Sequence, residues 1–364
     1  MTNKPIKVLF FSRGRGHGHA IPDMAVVNEI ASHCPRISFT FVSYATGAET
    51  FRTHNVSVID MGLPENNSYL NTFFTVRDVI AEHKPRVVVA HEEFAAIAAA
   101  HLFNIPSIFV SAWLPTANSI GAESLTYASS VIVIDDPGVF PTLPNVKAPV
   151  FVGPILRKMQ CALSDRARIR SELGIAENTP VILTVSGGWA NENRAPLVDL
   201  VLSAFFELRN KEKRLLFVAT KGDFELITLK TQGIQGVEVI AHANPIERLI
   251  VASDVVLTKA TRGITLDAAG LGVPSISISY GLNPIDDALV PRVPSNIPLN
   301  ARATSPDVLC AYIKRIIDVP FPQREKVRPR ILPRNGLTPA GSLIDAINTA
   351  ASKLRSTHSL SKSR

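Results

Sequence analysis

A glycine-rich turn near the amino terminus holds the residues best suited to chemistry. The segment Phe11–Pro22 reads FSRGRGHGHAIP and carries the imidazoles of His17 and His19 among three glycines. Glycine has no Cβ atom, so the backbone at Gly16 and Gly18 can approach a bound ligand closely. An imidazole titrates near neutral pH and can take a proton from a hydroxyl group. We expect His19 to be a catalytic base. The alternative is that His19 is a structural histidine whose ring bonds to the backbone of the turn. We expect that structural role for His17.

Two segments in the second half of the chain supply groups that suit an anionic ligand. The first, Ser186-Gly187-Gly188, separates an apolar run from a helical pattern, so its N–H groups would open a helix, where phosphates bind. The second also opens a helical pattern, and it combines two cations, a hydroxyl, a free helix start and a carboxylate: Lys259, Arg262, Gly263, Thr265 and Asp267. Cations at a helix start can bind a diphosphate, and a carboxylate there can accept hydrogen bonds from ribose hydroxyls.

The apolar periodicity predicts the elements that must position these residues. Apolar runs typical of buried strands alternate with helical patterns in both halves of the chain, which indicates parallel sheets covered by helices. The alternation stops at Val150-Phe-Val-Gly-Pro154 and restarts at residue 181. We therefore predict an α/β protein with two Rossmann-like, doubly wound domains. The predicted parts are residues 1–153, 154–336, a helix over 337–355 that returns to the first domain, and a disordered basic tail over 356–364.

Three common nucleotide-binding motifs are missing or incomplete. The glycines read G-x-G-x-G rather than the dinucleotide fingerprint G-x-G-x-x-G, and no acid follows the second predicted strand before Glu49. The chain has no G-x-x-x-x-G-K-[ST] phosphate loop. The acids Asp135 and Asp136 are adjacent and precede Pro137-Gly138, which indicates a turn rather than a D-x-D metal site. We accordingly expect no metal and no tightly bound cofactor.

The positive charge lies at the carboxyl end of the chain. The net charge of the 364 residues is +7, while residues 321–334 and 352–364 each carry +4. Asp345, which lies between these two segments, carries −1, so residues 1–320 are neutral overall. A solvated tail is the simple interpretation, and attraction to an anionic membrane surface is the alternative. Because no basic motif rich in aromatic residues occurs, we expect no nucleic-acid partner.

The sequence is typical of a protein of the reducing cytoplasm. The opening residues lack the apolar region of a signal peptide, and the three cysteines are far apart. The least polar stretch, Phe94–Pro115, contains His101, Asn104 and Pro106, so it suits a helix, a turn and a strand better than a membrane span. We expect a cytoplasmic protein with at most weak, salt-sensitive contact at the inner membrane face.

Four motifs in order give the chain a resemblance to a known family. They are Gly18-His-x-x-Pro22, Gly153-Pro154, Ser186-Gly-Gly188 and Thr265-Leu-Asp-Ala-Ala-Gly-Leu-Gly-Val-Pro274. Across residues 6–290 this arrangement resembles the GT-B glycosyltransferases. The similarity is greatest to the UDP-sugar transferases of plants and antibiotic pathways and to the peptidoglycan N-acetylglucosaminyltransferase MurG.

The resemblance implies a metal-independent, inverting transfer of a sugar from a nucleotide sugar, most often a UDP-sugar, to an acceptor hydroxyl. In the family the second domain holds the donor, the first holds the acceptor, and the cleft between them is the active site. His19 matches the family's general base. Its carboxylate partner falls in His91-Glu-Glu-Phe94, where Glu93 or Glu92 can serve.

The resemblance also implies the donor contacts. Gly16, Gly18 and the residues at 186–188 and 259–267 would meet the donor. Ile246 would help to cover the nucleotide base of the donor. Asp286 and Asp287 are the nearest match to the aspartate–glutamine pair with which the family contacts the hydroxyl groups of the sugar. The acceptor stays open between a small molecule and a lipid-linked sugar. A nucleotide-sugar epimerase of the same shape, or a nucleotide-sugar-binding protein without turnover, are the alternatives.

Overall fold

The structure is a computed structural model of the chain. It describes residues 5–16, 18–116, 119–135, 143, 146–156, 159–185, 194–209, 212–219, 223–241, 245–281, 284–319 and 338–361. The chain forms two compact units, one of Met1–Arg157 with Leu332–Arg364 and one of Lys158–Ile331.

The first unit contains a parallel sheet of seven strands. In chain order they are Ile6–Ser12 (β1), Ile37–Ser43 (β2), Val58–Asp60 (β3), Val87–His91 (β4), Ser107–Ser111 (β5), Ser130–Val133 (β6) and Val150–Phe151 (β7). Their order in the sheet is β3-β2-β1-β4-β5-β6-β7, and every pair is parallel. The inner strands are apolar almost throughout because both faces of the sheet are covered.

Six helices of this unit lie in the described part of the chain. They are Ala20–His33 (α1), Ala45–Thr53 (α2), Tyr69–His83 (α3), Phe94–Leu102 (α4), Ile120–Leu125 (α5) and, at the carboxyl end, Pro339–Ser361, which is the last helix of the chain and is called α13. Strand β1 shows how two cores form. Val8 and Phe10 face a core that includes α1 and α13, whereas Leu9 and Phe11 face a core that includes α3 and α4.

The second unit repeats the plan with six strands. They are Val181–Val185 (β8), Arg214–Ala219 (β9), Val237–Ala241 (β10), Val255–Lys259 (β11), Ser275–Ser279 (β12) and Asn296–Asn300 (β13). Their order is β10-β9-β8-β11-β12-β13, again all parallel. The helices are Arg166–Glu172 (α6), Arg194–Glu207 (α7), Phe224–Thr231 (α8), Glu247–Ala252 (α9), Arg262–Gly270 (α10), Pro284–Leu289 (α11) and Pro306–Ile317 (α12). The predicted fold class, two doubly wound parallel sheets, is thus confirmed.

Helix α13 closes the core of the first unit. Leu343, Ile347 and Ala350 are buried in the same core as β1 and α1, and Arg86 donates a hydrogen bond to the carbonyl oxygen of Ala351. The helix continues to Ser361, which corrects the predicted disordered tail over 356–364 as far as that residue. No glycine or proline occurs after Gly341, so the sequence contains no strong signal that would end the helix earlier.

Candidate functional site

The carboxyl ends of β1 and β4 meet where the strand order of the first sheet reverses. Ser12, the last residue of β1, pairs with His91, the last residue of β4. The chain leaves β1 toward α1 and β2, and it leaves β4 toward α4 and β5, so the two loops diverge. A crevice between such loops is the usual ligand site of an open α/β sheet. The glycine-rich turn and Glu92-Glu93 both begin at this point.

His19, which follows β1, is held by the carboxylate of Glu92, which follows β4. Its Nε2 atom lies 3.0 Å from Oε2 of Glu92. With the proton on Nε2, the ring donates to Glu92 and the lone pair resides on Nδ1. Nδ1 is shielded from solvent and has no hydrogen-bond partner among the described residues. A buried nitrogen without a partner calls for an explanation, and a catalytic role is one.

Glu92 is itself fixed in place. Its Oε1 atom accepts hydrogen bonds from the Ser111 hydroxyl at 3.0 Å and the Ala112 N–H at 3.4 Å, and Arg13 approaches Oε2 at 3.7 Å. Its φ of 57° lies in the left-handed region, which is uncommon for residues other than glycine and is often found at functional sites. Burial would raise the pKa of Glu92, but attraction to the imidazolium form of His19, the hydrogen bond from that ring and attraction to the imidazolium form of His91 hold the pKa well below its usual range.

A second imidazole–carboxylate pair lies directly against the first. Nδ1 of His91 is 2.6 Å from Oδ1 of Asp23, and both side chains are buried. The ring of His91 meets the ring of His19 edge to face, with the centroids 4.8 Å apart and the planes at 74°. Asp23 lies one turn into α1, whose first residues follow His19. The site therefore contains two coupled imidazoles, each with its own carboxylate.

Glu93 does not make the predicted contact with His19. Its Oε2 accepts a hydrogen bond from the Tyr44 hydroxyl at 3.3 Å, and both side chains are buried. Burial raises the pKa of Glu93 to about 7, although the charge of Arg13 and the bond from Tyr44 oppose the shift. Burial and the neighbouring Glu93 also raise the pKa of the Tyr44 hydroxyl. Of the two glutamates that the sequence left open, Glu92 is the one positioned to orient His19.

The glycine-rich turn owes its path to close packing. A Cβ atom on Gly14 would overlap the carbonyl oxygen and the ring of Tyr44. At Gly16 the φ is 65°, and its N–H donates to the carboxylate of Glu65 at 3.3 Å. Gly18 is exposed, with open space where a Cβ atom would stand. Of the two predicted backbone contacts, Gly18 is thus open to a ligand, whereas the N–H of Gly16 is bonded to Glu65.

The second unit brings several predicted donor residues to one helix start. Val185 at the end of β8 pairs with Thr258, directly before Lys259 at the end of β11. Arg262 and Gly263 then form the first turn of α10, and no side chain caps this helix from Thr261. The backbone at Gly263 faces open space. A cation beside an uncapped helix start attracts an anion, and the half-buried Asp267 lies on the next turn.

Thr265 does not fit the predicted role. It is fully buried, and its hydroxyl donates to the carbonyl oxygen of Thr261 at 2.7 Å. A threonine in a helix interior often bonds back to the preceding turn in this way, which leaves its hydroxyl unable to donate to a ligand. Ile246 is half buried against a core that includes α9 and β8, so only part of its side chain can cover a base.

The remaining predicted residues are only partly described. Asp287 on α11 accepts a hydrogen bond from Ser279 at the carboxyl end of β12, so its carboxylate lies at the ligand edge of the second sheet. The side chain of Asp286 lies outside the described part of the chain, as do residues 186–188 and His17.

Three residues of the site, Asp23, Glu65 and Tyr44, were not predicted from the sequence. Asp23 and Glu65 carry no motif, and their roles depend on contacts with residues far away in the chain. Tyr44 gave a weak signal because it directly follows an apolar run that ends at the same sheet edge. His91 appeared only as a neighbour of the two glutamates.

Two imidazoles and a carboxylate at one point also raise the question of a metal ion. The ligand-capable atoms of His19, His91 and Glu92 lie within 4.8 Å of one another. In this arrangement His19 is bonded to Glu92, and His91 to Asp23. The geometry described is that of two hydrogen-bonded pairs, which suits movement of a proton.

Sequence comparison finds glycosyltransferases, although no family model matches the chain. The chain is 24% identical over 281 residues to an uncharacterized glycosyltransferase of Methanopyrus kandleri, covering 73% of this chain and 78% of the relative. It is 20% identical over 302 residues to the UDP-N-acetylglucosamine–N-acetylmuramyl-(pentapeptide) pyrophosphoryl-undecaprenol N-acetylglucosamine transferase of Leuconostoc mesenteroides, covering 75% and 78%.

Solved structures show the same fold. MurG of Acinetobacter baumannii superposes with a TM-score of 0.63 at 14% identity, covering 95% of this chain and all of MurG. The UDP-GlcNAc 2-epimerase of Neisseria meningitidis gives 0.68 at 17% identity, covering 93% and 98%. The fold is therefore GT-B, and the chain is similar to glycosyltransferases in sequence, as its four motifs predicted.

Proposed function

We propose that the protein transfers a sugar from a nucleotide sugar, most simply a UDP-sugar, to an acceptor hydroxyl by a metal-independent, inverting displacement. The observation that carries the proposal is the His19–Glu92 pair at the point where the strand order reverses. The names of the relatives and of the solved structures agree with it, because they refer to UDP-linked sugars and to UDP itself.

In the proposed reaction His19 is the catalytic base. Its Nδ1 atom takes the proton of the acceptor hydroxyl as the hydroxyl oxygen attacks the anomeric carbon and the bond to the nucleoside diphosphate breaks. Glu92 orients the ring and stabilises the imidazolium that forms. Attack from the side opposite the leaving group inverts the anomeric carbon.

The departing diphosphate needs positive charge, and we assign this role to residues of the second unit. In this proposal Lys259 and Arg262 provide cations, and the start of α10 provides N–H groups, without a metal ion. Because Lys259 is largely buried, water weakens its attraction for an anion less than at the surface. Asp267 is assigned to the ribose hydroxyls. Transfer that stops on addition of EDTA and resumes with a divalent cation would overturn the metal-independent step.

The first experiment is a thermal-shift screen of nucleotides and nucleotide sugars. A ligand that binds only the native state raises the unfolding midpoint. We expect UDP and at least one UDP-sugar to raise it. If no nucleotide moves the midpoint, the donor site is refuted.

The second experiment tests the base. His19→Ala should lower turnover at least about a hundredfold, the usual contribution of a general base, and leave UDP binding unchanged. His101→Ala, at a histidine exposed on α4, is the matched control. Near-normal turnover of the His19→Ala variant would reassign His19 to the structure of the turn.

An epimerase is the second candidate, because a solved UDP-GlcNAc 2-epimerase shares the fold. An epimerase acts on the nucleotide sugar alone, whereas a transferase needs an acceptor. Incubating UDP-sugars without acceptor and following the sugar configuration separates the two. A protein that binds UDP and neither transfers nor epimerises any sugar would be the binding protein without turnover.

The acceptor is proposed only as a class, either a small molecule or a lipid-linked sugar. Within the described residues, no helix has both the length and the apolar character needed to cross a membrane. We propose at most weak, salt-sensitive contact of the basic carboxyl end with anionic lipid. Vesicle co-sedimentation at low and high salt, with and without residues 352–364, tests this. Binding that survives high salt would contradict it.

A further inference from the structure

The pair formed by Asp23 and His91 is not needed to explain how His19 is oriented, because Glu92 already does so. Yet both side chains are buried, their polar atoms are 2.6 Å apart, and the ring of His91 packs edge-on against that of His19. A buried carboxylate next to an imidazole favours the charged form of the ring. A proton on His91 would therefore place a positive charge close to His19.

The charges around His19 support the same conclusion. Two carboxylates lie in the cluster, Asp23 from α1 and Glu92 from the end of β4, and Arg13 from the glycine-rich turn contributes one positive charge. Glu93 bonds with Tyr44 and does not contact His19. Beside these two carboxylates, a proton on His91 would add a second positive charge to that of Arg13, which lowers the cost of burying the carboxylates.

We propose that His91, held charged by Asp23, is a positioning residue that keeps the neighbouring His19 neutral and able to accept a proton. The inference rests on the proposed function, in which His19 is the base. Glu92 alone would favour the imidazolium form of His19, because a carboxylate at 3.0 Å stabilises that form. A positive charge on His91 opposes this and favours the neutral ring of His19.

The charge on His91 can be measured in the wild-type protein. Protein with ¹⁵N-labelled histidine, studied by NMR between pH 5 and 9, shows the protonation of each ring nitrogen. We expect both nitrogens of His91 to carry protons at pH 7, when His19 carries one. A neutral His91 at pH 7 would overturn the proposal without any substitution.

The variant His91→Asn tests the effect on His19. Loss of the charge should raise the NMR titration midpoint of His19 by about one pH unit. The acid limb of the pH profile of kcat/KM should move by the same amount, so activity well below the midpoint falls about tenfold. His101→Asn, which removes an exposed histidine from α4, should move neither.

The two possible failures are distinguishable. If activity falls in His91→Asn while the titration midpoint of His19 stays in place, His91 serves packing alone and the proposal is overturned. The titration needs no substrate, so a protein that transfers no sugar would refute the proposed function and leave the measured effect of His91 on His19 intact.

Discussion

Nε2 of His19 lies 3.0 Å from Oε2 of Glu92, although the two residues are 73 positions apart in the chain. The sheet produces this contact because β1 and β4 are neighbours whose carboxyl ends coincide. The other carboxylate oxygen of Glu92 is bonded to Ser111 and to the N–H of Ala112. A fixed carboxylate fixes the ring, so the direction of the imidazole is set before any substrate binds.

Neutralising the carboxylate of Glu92 should slow the reaction more than neutralising that of Glu93. In Glu92→Gln the imidazolium that forms during transfer loses its counter-charge, and we expect turnover to fall about a hundredfold. The adjacent Glu93→Gln is the matched control and should change turnover less than about threefold. Initial rates at saturating donor measure both. Equal losses in the two variants would contradict the assignment of Glu92.

Glu93 should make stability depend on pH. Its pKa rises from 4.5 to about 7 in the folded protein, so the folded state holds a proton that the unfolded chain releases. The resulting stability is fully present below pH 4.5 and is lost as the pH rises through 7, by up to about 3 kcal/mol. Relative to wild type, Glu93→Gln should therefore gain stability between pH 5 and pH 8.

Urea unfolding at both pH values measures this difference. Glu82→Gln, at a largely exposed glutamate near the end of α3, should follow the wild type at both. A constant difference between wild type and Glu93→Gln from pH 5 to pH 8 would show that Glu93 ionises normally.

Replacement by alanine should destabilise the protein at one glycine of this turn and have little effect at another. At Gly14 the added methyl group would overlap Tyr44, so the turn must move, and overpacking of this kind costs about 1–3 kcal/mol. At Gly18 the methyl group enters open space, and stability should change by less than about 0.5 kcal/mol. Urea midpoints measure both. A destabilised Gly18→Ala and a normal Gly14→Ala would refute the packing of the turn.

Donor affinity should depend on the start of α10. Lys259→Ala removes a cation from the proposed diphosphate site, and Asp267→Ala removes the acceptor for ribose hydroxyls. Each should weaken UDP binding by about 1.5–3 kcal/mol. Isothermal titration measures the loss. Lys230→Ala, on the half-exposed face of α8, should bind UDP normally. Unchanged UDP binding by Asp267→Ala would exclude the ribose role.

The long apolar strands and the turns that follow them could be predicted from the sequence. A strand such as β4, with the sequence VVVAH and every residue buried, can be predicted from its composition alone. The edge strand β13 could not be predicted in this way, because its sequence, NIPLN, combines polar ends with a proline. The strand β7 has two residues, too few to show any period.

The site was predictable in part for the same reason. The position of His19 follows from a strand and a glycine-rich turn, both local in the chain. Asp23 and Glu65 act on residues that only the fold brings near, so nothing in their own surroundings marks them. Thr265 shows the opposite error. Its place in a motif suggested a ligand contact, but helix geometry turned its hydroxyl back onto Thr261.

Helix α13 also fixes the order in which the two units can be finished during synthesis. The core of the first unit is closed by residues such as Leu343 and Ile347, whereas the second unit ends at Ile331. A ribosome releases the amino-terminal residues first, and domains fold as units once their chain is available. The unit that carries His19 therefore starts first and finishes last. Until then, its sheet lacks the cover that α13 supplies.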